Sequence, residues 1–156
     1  MPERTFTVRL VGWDREGQAL SAVRRAVFVE EQGVPEALEW DGLDPDCEHA
    51  AAFAADGRVV GTARLLLDGH IGRVAVLKEW RGAQIGVALM RLLIESARER
   101  GFEAVHVNAQ TTAMAFYQRL GFQAHGGEFL EAGIRHRGMT LPLAGAEPPA
   151  PAAEGR

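Results

Sequence analysis

The stretch RVAVLKEWRGAQIGVALM, Arg73 to Met90, decides how this chain is read. It opens as an apolar strand, crosses a short loop containing Gly82 and Gly86, and runs into a helical pattern. Ile85, Ala88, Leu89, Leu92 and Ser96 line one face of that helix, which the spacing ends near Arg100 with Gly101 as its C-cap. A helix starting near Ile85 turns its unpaired N–H groups and the positive end of its dipole toward the loop. Small residues let an anion approach that backbone closely, and Arg81 adds a charge. By itself the loop suits either a phosphate cradle or a tight strand-to-helix connection. Two other phosphate loops are excluded, since the chain has neither Gly-Lys-Ser/Thr nor G-x-G-x-x-G here.

Upstream, Thr5 to Val11 predicts a strand, and Leu20, Val23 and Val27 predict a helix over roughly Arg15 to Val29. An irregular acidic segment follows, with eight carboxylates from Glu30 to Glu48 and no Lys or Arg. Its ordinary reading is a solvated loop; its functional reading is a rim that attracts a cationic amine. Asp56-Gly57 and Asp68-Gly69 then separate three apolar runs, predicting a three-stranded antiparallel meander whose third strand is Ile71–Leu77.

Downstream, AVHVNA (Ala104–Ala109) reads as a strand. The helix between predicts that it lies parallel beside Arg73–Leu77 in a right-handed βαβ unit. A short helix over Ala113 to Leu120 and two last strands, near Gln123–His125 and Gly138–Leu143, complete the pattern. Residues 1–143 read as a single domain, and the Ala/Pro-rich residues 144–156 as a disordered tail.

Composition narrows the function. The length of 156 residues suits one domain, and 47% hydrophobic with 24% charged residues suits a soluble globular protein. No apolar run approaches the roughly 20 residues a membrane helix needs, and the N-terminus lacks a signal-like apolar region. Cys47 is the only cysteine, which fits a reducing cytoplasm, and the net charge of −4 argues against nucleic-acid binding. The five histidines show no metal-ligand spacing, so no metal is expected.

One further motif, AQTTAMAFYQRLGF (Ala109–Phe122), puts Ala113 and Tyr117 one helical turn apart and ends in a Gly-Phe stop. Together, VAVLKEWRGAQIGVALM and FYQRLGF resemble the two halves of the acyl-CoA site of the GNAT superfamily of N-acetyltransferases. VRRAVFVEEQGVP and FLEAGIRHRGM resemble its ElaA-like branch. The resemblance implies an α/β fold: a mixed, mostly antiparallel sheet of six to seven strands with about four helices, splayed between the fourth and fifth strands. It implies acetyl-CoA as cosubstrate and a primary amine, small molecule or peptide, as acceptor, attacked directly in a ternary complex. It also allows a homodimer, since dimers are common in that superfamily.

Carried onto this chain, the resemblance puts the pantetheine arm along Val74, Ala75 and Val76, with a backbone N–H near Val76 or Leu77 polarising the thioester. Arg81, Gly82, Ala83, Gln84, Ile85 and Gly86 would wrap the pyrophosphate, with Gln110 and Phe116 also near the cofactor. Tyr117 would protonate the departing thiolate, as a phenol of pKa about 10 can at neutral pH. The base that frees the amine is open among Glu31, Glu39, Asp41, Glu131, His49 and His136, with Glu31 carried forward. Two positions depart from the family motif: Gln84 replaces the usual first glycine and Gln110 the usual Asn. If that loop position needs φ > 0, Gln bears a steric cost that Gly escapes. A non-catalytic acyl-CoA-binding sensor and a nucleotide-binding regulator are the competing readings.

Overall fold

A computed structural model of the chain describes residues 4–143, which form two compact units interleaved in sequence. The first holds the residues up to Leu67 and Ile71–Leu93; the second holds Asp68–His70 and the residues from Ile94. The expected tail, residues 144–156, lies outside the described residues. Among these, no helix is long and apolar enough to cross a membrane.

The first unit is built on an antiparallel sheet in the order β1-β2-β3-β4, with β1 Phe6–Val11, β2 Glu48–Ala54, β3 Val59–Leu65 and β4 Ile71–Val76. The expected meander is present, with β1 added along β2. Nearly every residue of β2 and β3 is buried, so both faces of the sheet are covered. Helix α3, Ile85–Glu99, lies close on β3 at Gly61. A Cβ there would stand 3.0 Å from Ile85 Cγ2 and 3.3 Å from Leu89 Cδ1, so the absence of a side chain sets the helix-to-sheet distance. Ile85, Leu89, Met90 and Leu93 carry the apolar stripe into the core, whereas Leu92 is only half-buried.

The first helix departs from its expected span. Helix α1 runs Trp13–Arg24 and then widens into a π-helical turn over Arg25–Glu31, where Gln32 N–H reaches back to Val27 O at 3.0 Å. Such widened turns are frequent at functional sites. The acidic segment also departs from the solvated reading. It folds into a short helix α2, Glu36–Glu39, and a 3₁₀ turn, Asp44–Asp46, and drives carboxylates inward. Glu39 and Asp44 are buried and meet the equally buried Arg24, from α1, at 2.8 and 2.7 Å. Arg64 of β3 bonds Asp44 at 2.9 Å and Asp41 at 2.5 Å. Arg73 of β4 adds a third guanidinium, 3.0 Å from Glu39 and 3.4 Å from Asp41. Three cations thus face three anions, and Trp13 and Trp40 rings lie beside Arg24.

The second unit is a three-stranded antiparallel sheet in the order β5-β7-β6, with β5 Ala104–Gln110, β6 Gln123–Glu131 and β7 Ile134–Pro142. Strands β4 and β5 therefore belong to different sheets and share no ladder, which corrects the expected parallel pairing. The parallel contact is a single bridge, His70 with His106. The last two strands are longer than the sequence suggests and form a hairpin closed by Ala132-Gly133, both at positive φ. Strand β6 is mostly exposed and bulged between His125 and Phe129, so it never shows the period-two pattern that marks a half-buried strand. A 3₁₀ turn, Thr111–Ala113, and helix α4, Met114–Arg119, join β5 to β6, and Phe122 N–H closes α4 on Tyr117 O at 3.1 Å.

Removing one member of a buried ion network leaves its partners uncompensated. Arg24→Ala is expected to cost about 3–5 kcal/mol by chemical denaturation, against about 0.5 kcal/mol or less for Arg98→Ala, which breaks the surface pair with Glu95. The pH dependence has two steps. Burial, above all, lowers the His49 pKa, so unfolding takes up a proton there and stability drops as pH falls below the ordinary value of about 6.5. Asp41 is lowered chiefly by the Arg64 hydrogen bond; at Asp44 burial works upward, but Arg24 and Arg64 outweigh it. Their contribution is complete above about pH 4 and is lost as pH falls further, toward the lowered folded values. Denaturation midpoints from pH 8 to 2 check both steps.

Candidate functional site

The loop between β4 and α3 holds two left-handed residues close together. A 3₁₀ turn, Lys78–Trp80, brings the chain off β4, and then Gly82 and Gln84 take φ of 88° and 70° on either side of Ala83. Left-handed residues in close succession with right-handed ones are the backbone pattern from which concave anion-binding nests are built. Helix α3 follows at once, its first turn closed by Ala88 N–H on Gln84 O at 3.1 Å. Gln84 thus occupies the left-handed seat that a glycine would take without strain, at a cost on the order of 1 kcal/mol.

Strand β4 is an edge strand, and its hydrogen-bond phase can be worked out. Leu77 N–H bonds Val60 O at 2.9 Å, so Leu77 faces β3. Antiparallel pairs alternate, so Val76, opposite Gly61, turns its peptide groups outward, Ala75 inward and Val74 outward again. Of the two candidate thioester donors, Leu77 N–H is thus engaged in the sheet, whereas Val76 N–H faces away from it. Val76 O accepts from Arg81 Nε at 2.9 Å.

Arg81 also bonds Glu31 through both terminal nitrogens, at 2.7 Å each. This pair ties the end of the π-turn to the loop. The Arg81 hydrogen bonds hold the Glu31 carboxyl below its ordinary value, and Glu31 raises Arg81. Glu31 is therefore ionised, as a base must be, but the pair weakens its pull on a proton. Beside it lies a cleft of about 350 Å³, walled by Ala26, Val27, Glu30 and Glu31 on one side and Leu77, Lys78 and Glu79 on the other.

The other base candidates are placed differently. Glu39 and Asp41 are bound in the arginine network, and His49 is buried, stacked on Trp13 and donating Nε2–H to Asp44 O at 2.9 Å. In the second unit, buried His136 donates Nδ1–H to Ile134 O at 2.7 Å, while exposed Glu131 accepts from Asn108 at 3.4 Å. Gln110 ends β5 opposite His136 and leads into the 3₁₀ turn. Tyr117 lies edge-on to Phe116 and Phe122, with ring centroids 4.9 and 5.8 Å away, and burial pushes its phenol up to about 12. Of the arginines outside the loop, Arg24 is enclosed in the network, Arg25 pairs with Glu36, and Arg119 bonds Ala115 O.

Sequence reasoning passed over Arg64 and Arg73. Their signal was indirect: eight carboxylates without a local Lys or Arg need cations from elsewhere in the fold. Asp44, Cys47 and His49 bring three potential metal donors within 4.8 Å, but two guanidiniums already bond Asp44 and would repel a cation. Cys47 is half-buried, its Sγ 3.3 Å from Leu43 O, and burial raises its pKa.

The chain is similar to known proteins. Residues 15–143, which run across both units, match the family model for the acetyltransferase (GNAT) domain. A Bacillus subtilis protein named as an acetyltransferase is 40% identical over 124 residues, covering 76% of this chain and 84% of that protein. Escherichia coli ElaA is 34% identical over 130 residues, covering 78% of this chain and 84% of ElaA. The crystal structure of an acyl-CoA N-acyltransferase from Pseudomonas aeruginosa superposes with a TM-score of 0.77 at 33% identity, covering 87% of this chain and 99% of that one. The chain therefore belongs to the GNAT family of acetyltransferases, with ElaA among its relatives.

Proposed function

We propose that the chain is an acetyl-CoA-dependent N-acetyltransferase of the cytoplasm that acetylates a primary amine by direct attack within a ternary complex. The observation that carries this reading is the pairing of outward peptide groups at Val74 and Val76 with the left-handed Gly82 and Gln84 before α3. Such an edge suits an extended amide-bearing arm, and such a nest suits a pyrophosphate. Arg81 through Gly86 would hold the pyrophosphate by backbone N–H groups, the Gln84 side chain turned away.

The amine nitrogen attacks the thioester carbonyl, Val76 N–H stabilises the oxygen as it gains charge, and the C–S bond then breaks. Tyr117 gives its proton to the departing sulfur. Burial keeps the phenol protonated across the working range, so the proton is in place for the sulfur. Glu31, at the cleft, takes the amine proton through water. Three carboxylates against one lysine around that cleft suit an acceptor that arrives as an ammonium.

Tyr117→Phe is expected to lower kcat for CoA release about 10²- to 10³-fold, with CoA affinity by calorimetry changed less than about threefold. An unchanged kcat would remove Tyr117 from the mechanism. CoA binding with no thiol release from any amine in a broad panel would favour the sensor reading instead. At Gln84 the strain is already present without ligand, so Gln84→Gly should raise stability by up to about 1 kcal/mol and shift CoA affinity less than about threefold. Tightening of tenfold or more would show that the Gln side chain obstructs the donor.

A further inference from the structure

We propose that Arg73 is a positioning residue: its side chain clamps a bulge in β4 to the acidic segment, and that bulge decides which β4 peptide groups face the acyl donor. The inference rests on β4 being the donor's docking edge.

Pairing between β3 and β4 is regular on either flank, Gly61 with Val76 and Thr62 with Ala75, then Arg64 with Gly72 and Leu65 with Ile71. Between them Ala63 faces two residues, Arg73 and Val74, so β4 carries one extra. The extra residue reverses the strand's phase. Extended without it from the Leu65–Ile71 end, the ladder would pair Thr62 with Val74 and Val60 with Val76. Val74 and Val76 would then bond β3, and Ala75 alone would face outward. The bulge is therefore what presents Val74 and Val76, and with them the Val76 N–H, at the edge.

Arg73 holds φ at +50°, a left-handed conformation that disfavours any side chain. The adjacent Gly72 could adopt it freely and does not. What Arg supplies there is an anchor. Its Nη2 donates to Glu39 O at 3.0 Å and to Leu38 O and Asp41 Oδ2 at 3.4 Å, and its Nε lies 3.0 Å from Glu39 Oε2. The anchor points are themselves fixed, Glu39 by Arg24 and Asp41 by Arg64. A strained seat held by four polar contacts, two of them to buried Glu39, resists the slip that would erase it.

The test compares two ligands by calorimetry on the full chain: CoA, and its nucleotide half, adenosine 3′-phosphate 5′-diphosphate, which has the pyrophosphate but no pantetheine. In Arg73→Gly, CoA affinity and kcat should each fall about tenfold or more, while affinity for the nucleotide half stays within about twofold, because the nest is untouched. Arg73→Lys keeps the charge without the planar fork and should show the same split at roughly a third of the size. Should Arg73→Gly fail to fold, Arg73→Lys and Asp41→Asn carry the same comparison. Equal losses for both ligands, or none for either, would overturn the positioning role while leaving the donor site intact. Failure of the unaltered protein to bind either ligand would overturn the donor-edge reading, and the role of Arg73 with it.

Discussion

A guanidinium with 1% of its surface exposed has to be neutralised where it stands, and that requirement at Arg24 organises the first unit. Its carboxylates come from α2 and the 3₁₀ turn that follows, segments with too few apolar residues to fold by burial alone. Arg64 and Arg73 complete the balance from β3 and β4, so two strands, one helix and an otherwise irregular segment share one electrostatic centre. Burying ions is not in itself stabilising, since well-packed apolar groups often do as well. What a charge-balanced centre adds is directional bonding, and here those bonds reach β4, the strand proposed to dock the acyl donor.

The edge of that strand and the loop after it meet the same problem in two ways. Both contain a non-glycine residue in the left-handed region, Arg73 and Gln84. The first is half-buried and tied by its side chain; the second is exposed and sits where the helix begins. Conformation at Arg73 is thus bound to tertiary structure, whereas at Gln84 it is set by the local path from Gly82 into α3.

Much of this was legible in the residues. Asp-Gly turns between apolar runs gave the meander, and the periodicity from Ile85 gave α3, because those signals are local. The loop before α3 was legible as a short strand-to-helix connection, and its reading as a phosphate cradle came from the family resemblance, not from the loop alone. Other features were not legible because they depend on partners distant in sequence. Nothing within Glu30–Glu48 says that Arg24, Arg64 and Arg73 will draw its carboxylates inward, and a solvated rim was the natural expectation. The β4 bulge exists only relative to β3, and Arg73 within RVAVL looks like an ordinary strand residue. Strand β6 was legible only at its start, near Gln123–His125, because the exposure of the rest removes the alternation by which strands are found.

The single cysteine has a practical consequence. Cys47 is half-buried with its Sγ against Leu43 O at 3.3 Å, and burial raises its pKa further, so both access and thiolate formation are restricted. Free CoA, by contrast, is a small thiol fully open to solvent. A chromogenic disulfide reagent added to turnover mixtures thus meets one slow protein thiol per chain and one fast thiol per catalytic event, so acceptors can be surveyed continuously without first replacing the cysteine.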